Sequence, residues 1–234
     1  ESLFARIIEK GLKYAFATNN STKSVDTYVG LLTEFNIPVN KDQVNTSATV
    51  TAKYLQSRFQ TGTELFVIGM DGLRSTLLRA GFKIGIKSPS AVVVGLDDTF
   101  DYQTLKLAAD LVRAGIPFIG TNPDVSLPTP TGFNPGTGSI LASIEAASGM
   151  SPVIIGKPQA AIFQAALQNL GTSPEQTLVI GDRVDTDIAG GQAAGCKVGL
   201  VLSGASSLSQ ARTWQPAIDF IADDLTNLIE ELNE

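Results

Sequence analysis

No histidine occurs anywhere in the 234 residues. Its absence removes the imidazole general base, the Ser-His-Asp triad and the His-ligated zinc site from the chemistry open to this chain. The single cysteine, Cys196, excludes an intramolecular disulfide framework and fits a reducing, cytoplasmic compartment. No run of roughly 18 apolar residues is present to read as a membrane span, and the opening ESLFARIIEKG is amphipathic rather than a signal peptide. A cationic surplus is lacking too: 17 Lys+Arg stand against 23 Asp+Glu, a net charge of −6. That balance argues against nucleic acid or an anionic membrane as partner. It leaves small anions, provided positive charge is focused locally. No G-x-G-x-x-G spelling occurs, which sets aside a dinucleotide-binding oxidoreductase.

Hydrophobic residues make up 43% and charged residues 17%, a balance that builds a core without disulfides and argues against disorder. One phrase recurs, an amphipathic segment, a glycine and a short apolar run: ARIIEKGLKYAFA, LLRAGFKIGI, DLVRAGIPFIG, LQNLGTSPEQTLVIG and QAAGCKVGLVL. Gly11, Gly81, Gly115, Gly171 and Gly195 stand where a helix would close on a residue of positive φ. The apolar runs at 14–17, 117–120, 178–180 and 198–202 suit strands covered on both faces. Val25, Tyr28, Val29 and Leu32 form one helical stripe, with a cap expected at Ser21 or Thr22. Leu105, Ala108, Ala109 and Val112 form another, capped by Asp101. Helices alternating with buried strands predict an α/β fold with a doubly wound parallel sheet. The stretch 121–138, TNPDVSLPTPTGFNPGTG, is too rich in Pro, Gly and Thr for a helix and reads as a long functional loop. With the strand at 91–94, the helix after Asp101 and the strand at 117–120, it predicts a small α/β unit inserted into the main sheet.

Three motifs place polar or charged groups at the ends of predicted strands. In YAFATNNST the strand ends at Ala17, and Thr18, Asn19 and Asn20 turn toward a helix. A hydroxyl and free amides there make an anion site, with a plain strand-to-helix turn as the alternative. In VIIGKPQ, Lys157 precedes Pro158, which suits the first position of a helix. The ammonium then points into the same crevice from an electrostatically poor helix start. In LVIGDRVDTDI, Asp182, Asp185 and Asp187 follow a buried strand and repel one another unless a cation or donors neutralise them. Mg²⁺ suits such oxygens, taking one or two carboxylates and keeping its waters, while helix capping by Asp185 or Thr186 is the alternative. FIGTNPD at 118–124 nearly copies the first motif. Pro123 removes an amide donor, so it reads as a substrate-selecting loop of the inserted unit.

Together these motifs resemble the haloacid dehalogenase (HAD) superfamily of phosphohydrolases, in its NagD-like, p-nitrophenyl phosphatase and pyridoxal phosphate–phosphoglycolate phosphatase branch. TNNST, VIGMDGL, VVVGLDDTF, GTNPD, PGTGS, GKP and GDRVDTDI stand in the family's order. The resemblance implies a Rossmann-like core at 1–86 and 152–234, with an α/β cap inserted at 87–151. It also implies a magnesium-dependent phosphatase acting on small-molecule phosphate monoesters through an aspartyl-phosphate intermediate. Thr18, Asn19 and Asn20 match the residues that hold the phosphate, and Lys157 the lysine that bridges phosphate and nucleophile. Asp182 matches a magnesium ligand, and Asp187 the aspartate that orders the metal's surroundings. Leu127 and Phe133, in the apolar and hydroxylic loop of the cap, are expected to touch the leaving group. Caps in this branch often mediate homodimers. The family's Asp-x-Asp-Gly motif, which supplies nucleophile and general acid, matches nothing ahead of TNNST, and the Asp71-Gly72 pair does not replace it. The chain opens in mid-helix without Met, so we expect a segment ahead of it in the natural protein to carry the nucleophile. A non-catalytic phosphate- or metal-binding relative is the alternative.

Overall fold

The computed structural model describes residues 3–129 and 131–231. Strands β1 (Phe16–Thr18) and β2 (Val44–Thr46) come first, followed by β3 (Glu64–Ile68), β4 (Lys83–Ile84), β5 (Val92–Val94) and β6 (Phe118–Gly120). A hairpin of β7 (Ser126–Thr129) and β8 (Gly132–Pro135) precedes β9 (Val153–Ile154). Strands β10 (Leu178–Gly181), β11 (Lys197–Val201) and β12 (Phe220–Ala222) follow. Among the described residues every strand pairing except β7–β8 is parallel, and helices connect most successive strands. The expected α/β class is the one observed. All five glycines expected to close helices have positive φ. At Gly171 the backbone is left-handed (φ 63°, ψ 45°) and returns its N–H to the Leu167 and Gln168 carbonyls of helix Ala161–Leu170.

The parallel strands divide into three sheets: β1–β2, β10–β11–β12, and a five-stranded sheet in the order β4-β3-β5-β6-β9. No pairing joins β1 to β10 among the described residues. In the five-stranded sheet the pleat sends alternate side chains to opposite faces. Phe66, Ile68, Val92, Val94 and Phe118 pack with Ala108 and Val112 of helix Tyr102–Arg113 and with Ile140, Leu141 and Ile144 of helix Thr137–Ser148. Leu65, Val67, Val93 and Ile119 face the other way, onto Ala48 and Leu55 of helix Ser47–Gln56 and Leu73 and Leu77 of helix Asp71–Arg79. That second cluster runs on through Ile162, Phe163, Val179 and Val198, so one apolar core joins the five-stranded sheet to β10 and β11.

Three expectations need correction. The boundary at 86/87 falls inside a sheet, because Phe66 pairs with Val92 and Ile68 with Val94; the boundary at 151/152 is also crossed, where β9 pairs with β6. The run ELFVI is buried from Leu65 onward, and its period does not say which sheet it joins. The stretch 121–138 is not irregular: it holds the β7–β8 hairpin and the start of helix Thr137–Ser148. Finally, helix Val25–Glu34 is capped by Ser24, whose hydroxyl accepts from the Thr27 amide at 3.2 Å, rather than by Ser21 or Thr22.

Close backbone approach explains the glycines of PGTGS. A Cβ on Gly136 would stand 2.2 Å from the Asp124 carbonyl oxygen, and one on Gly138 2.3 Å from that of Pro123. Gly138→Ala should therefore lower unfolding stability by about 2 kcal/mol, read as a reduced denaturant midpoint. Gly30, inside helix Val25–Glu34 with nothing within 4 Å of an added methyl, is the control. Gly30→Ala should raise stability by roughly 0.5–1 kcal/mol.

Candidate active site

The carboxyl end of β1 meets the loop after β9. Asn19 there is buried, and its side-chain amide grips the backbone of one residue at both its N–H and its carbonyl. Its Oδ1 accepts from the Lys157 N–H at 2.8 Å, while its Nδ2 donates to the Lys157 carbonyl at 3.1 Å. The same Nδ2 donates to Asp124 Oδ2 at 3.1 Å. The Asn19 carbonyl accepts from Ser47 Oγ at 2.6 Å and from Asn122 Nδ2 at 2.9 Å. The two similar phrases, TNN at 18–20 and TNPD at 121–124, thus lock the end of β1 to the end of β6. Gly156 permits the grip, since a Cβ on it would stand 2.6 Å from Asn19 Oδ1 and 2.4 Å from the Thr121 carbonyl oxygen.

Holding the Lys157 backbone places its ammonium. Nζ donates to the Ala17 carbonyl at 3.2 Å and to Asp187 Oδ1 at 2.6 Å, putting a cation beside Thr18. The lysine and aspartate side chains are only 13% and 10% exposed, so this is a largely desolvated pair. Asp187 lies over the end of β10, where a Cβ on Gly181 would stand 2.2 Å from its own Cβ. The second Asp187 oxygen accepts from the Arg183 amide at 3.1 Å. A π-helical turn, Val184–Ile188, carries Asp185 and Asp187.

Donors account for most of the acidic cluster. Arg183 Nε and Nη2 grip Asp185 at 3.1 and 2.7 Å. This hydrogen bonding holds the Asp185 carboxyl below the usual carboxylate range and pushes the guanidinium up. Its stabilising effect is therefore present at neutral pH and lost as pH falls through the lowered value. Asp182 Oδ2 accepts from the Ala205 amide at 2.8 Å, leaving Oδ1 without a protein donor among the described residues. Of the three carboxylates, only Asp182 has an oxygen with no protein donor among the described residues. That fits a divalent cation held by one carboxylate and waters rather than by a protein cage. No group of three or more His, Cys, Asp or Glu able to hold a metal occurs among the described residues.

The expected site residues are thus brought together in part. Asp182 follows β10 with its carboxylate on the Ala205 amide, whereas Lys157 and Asp187 meet directly and Lys157 reaches the Ala17 carbonyl next to Thr18. Asn19 is there too, but both side-chain polar atoms are committed to Lys157 and Asp124. Asn20 folds its Oδ1 back onto the Thr22 amide and hydroxyl at 2.8 and 2.7 Å. Lys157 does not start a helix: the next helix begins at Ala161, so its charge is set against Asp187 and not against a helix dipole. Leu127 lines a cavity of about 40 Å³ with Asn20, Asn122, Asp124 and Thr137. Phe133 does not, because Leu127 is opposite Asn134 while Phe133 is opposite Pro128; adjacent pairs face opposite sides of a hairpin, and Phe133 is 76% exposed. Sequence pattern alone does not mark Asp124, Asn122 or Arg183 as site residues, although the repeated Thr-Asn is a visible signal for the first two.

Comparison with known proteins agrees with this geometry. The profile described as haloacid dehalogenase-like hydrolase matches residues 1–83, and one described as HAD-hydrolase-like matches 154–228. An acid sugar phosphatase of Staphylococcus aureus is 36% identical over 226 residues, covering 96% of this chain and 87% of its own length. The p-nitrophenyl phosphatase structure from Archaeoglobus fulgidus superposes with a TM-score of 0.91 at 30% identity, over 97% of this chain and 89% of that one. A glycerol phosphate phosphatase from Mycobacterium tuberculosis, solved with magnesium, gives 0.87 at 33% identity, over 93% and 67%. The chain belongs to the haloacid dehalogenase-like hydrolase family, as a phosphohydrolase of its p-nitrophenyl phosphatase branch.

The buried pair dictates the effect of removing its cation. Lys157→Ala leaves the Asp187 carboxylate desolvated with only the Arg183 amide opposite it. Unfolding stability should fall by about 3 kcal/mol. An unchanged thermal midpoint would mean that the pair is solvated in the folded protein.

Proposed function

We propose that this chain works as a magnesium-dependent phosphatase of small-molecule phosphate monoesters, through an aspartyl-phosphate intermediate. One observation carries the reading: the Lys157 ammonium is fixed by Asp187 at 2.6 Å and by the Ala17 carbonyl at 3.2 Å, at the carboxyl end of a parallel strand. Parallel sheets bind ligands at such ends. A cation already in place neutralises charge developing on phosphoryl oxygens without reorganising. The Thr18 hydroxyl, which accepts from the Asn20 amide at 3.1 Å, orients the phosphoryl group. Asp187 keeps the ammonium aimed, and the Arg183 amide keeps Asp187 aimed.

The nucleophile is the aspartate of the family's Asp-x-Asp-Gly turn, which no residue of this sequence matches. Its carboxylate oxygen bonds to phosphorus as the phosphorus–ester oxygen bond breaks, the leaving oxygen taking a proton from the second aspartate of that turn. Water, giving its proton back to the second aspartate, then attacks phosphorus, restoring the first carboxylate and releasing phosphate. Asp182 would hold Mg²⁺ through its free oxygen, and the ion, when bound, supplies further charge neutralisation at the phosphoryl oxygens. The mycobacterial relative, solved with magnesium and also with calcium, supports a divalent ion in this place. Relatives named for acid sugars and glycerol phosphate support small hydroxylated leaving groups. The small cavity beside Leu127 is lined mainly by apolar surface, with Asn20, Asn122 and Thr137 at its polar edge, and has room for only a small part of such a leaving group.

The test joins an Asp-x-Asp-Gly turn ahead of Leu3 and follows p-nitrophenyl phosphate hydrolysis. Turnover should require Mg²⁺, and Asp182→Asn should lower kcat/KM by about 100-fold or more while raising the magnesium requirement. Unchanged magnesium dependence in that variant removes Asp182 from the metal site. Phosphate binding without any turnover would favour a non-catalytic relative.

A further inference from the structure

Five residues close a ring around the end of β1. Asn19 holds the Lys157 backbone by two hydrogen bonds, at 2.8 and 3.1 Å. Lys157 Nζ reaches Asp187 at 2.6 Å, and Asp187 accepts from the Arg183 amide at 3.1 Å. Arg183 Nη1 lies 3.5 Å from Asp124 Oδ1, an ion-pair contact too long for a hydrogen bond. Asp124 Oδ2 then accepts from Asn19 Nδ2 at 3.1 Å and closes the ring. Four members belong to segments flanking the insert. Asp124 alone comes from it, from the loop between β6 and β7.

Asp124 is itself firmly placed. Its side chain is 11% exposed, its N–H donates to Asn122 Oδ1 at 3.1 Å, and its carbonyl accepts from the Gly138 amide at 2.8 Å. The glycines at 136 and 138 allow that backbone approach. A carboxylate in this position is unexpected in a pocket meant for a phosphate, because a nearby negative charge opposes the anion. Its bonds account for it: it presents an acceptor to the one Asn19 atom that also holds the Lys157 carbonyl.

We propose that Asp124 is a positioning residue for the Lys157 ammonium, acting through Asn19, so that the seat of the insert on the core sets the affinity of the phosphate site. The proposal rests on the reading of Lys157 as the phosphate-binding cation. The insert contributes no cation to the phosphate in this scheme. It contributes the restraint that keeps the cation in line, and withdrawing the loop withdraws that restraint.

A positioning role and a purely electrostatic one differ in sign. If Asp124 acted only as a charge, both Asp124→Asn and Asp124→Ala would tighten inorganic phosphate binding. If it positions Asn19, Asp124→Ala should weaken phosphate about tenfold in calorimetric titration of the 234-residue chain. Asp124→Asn, which keeps an acceptor for Asn19 Nδ2, should stay within about threefold of wild type. Asn19→Ala should weaken binding as Asp124→Ala does, and the double variant should be no weaker than the poorer single one. Lys157→Ala, run alongside, should lose binding. Phosphate affinity in Asp124→Ala equal to or tighter than wild type overturns the proposal, as does additivity in the double variant. Wild-type affinity in Lys157→Ala overturns the underlying reading of the phosphate site, and the proposal falls with it.

Discussion

The buried pair between Lys157 and Asp187 is the interaction on which the site depends. Two opposite charges, each nearly removed from water, meet at 2.6 Å across segments 30 residues apart in sequence. Such a pair repays its desolvation only when geometry is tight and the remaining valences are satisfied. Each feature nearby serves that end. Asn19 fixes the lysine backbone, Gly156 makes room for Asn19, Gly181 makes room for Asp187, and the Arg183 amide satisfies the second carboxylate oxygen. In a chain of net charge −6, this is how one ammonium is held in place at a strand end.

The insert and the core are less separable than the order of motifs implies. Strands on both sides of the expected boundaries share one sheet, and one apolar cluster extends from that sheet to the β10–β11 region. The polar junction sits at the edge of this continuous packing, where Asn19 and Asn122 exchange contacts between the two Thr-Asn phrases. A rigid apolar backing and a polar seam together hold the site residues to positions that neither the core strands nor the insert would define alone.

Much of this is legible in the sequence, and the exceptions have physical causes. Helix closure at Gly11, Gly81, Gly115, Gly171 and Gly195 is readable because positive φ is a local demand. The meeting of Lys157 with Asp187 near Thr18 follows from motif position at strand ends. Strand partnership is not readable: the pattern of ELFVI shows burial, but pairing with Val92–Val94 is decided by packing. Nor is the facing of Phe133, since a loop has no period until its hairpin register is known. The role of Asn19 escapes the sequence for a similar reason. An asparagine at a strand end suits an anion or a turn equally, and only the position of the Lys157 backbone shows where its amide is spent.

The central claim is that the preplaced Lys157 ammonium is the phosphate-binding cation. The most direct measurement is a crystal structure of the chain grown with orthovanadate and Mg²⁺. The account predicts a vanadate oxygen within hydrogen-bond reach of both Lys157 Nζ and the Thr18 hydroxyl, with Asp187 still pairing the lysine. Vanadate bound elsewhere, with Lys157 contacting only Asp187 and the Ala17 carbonyl, would contradict it.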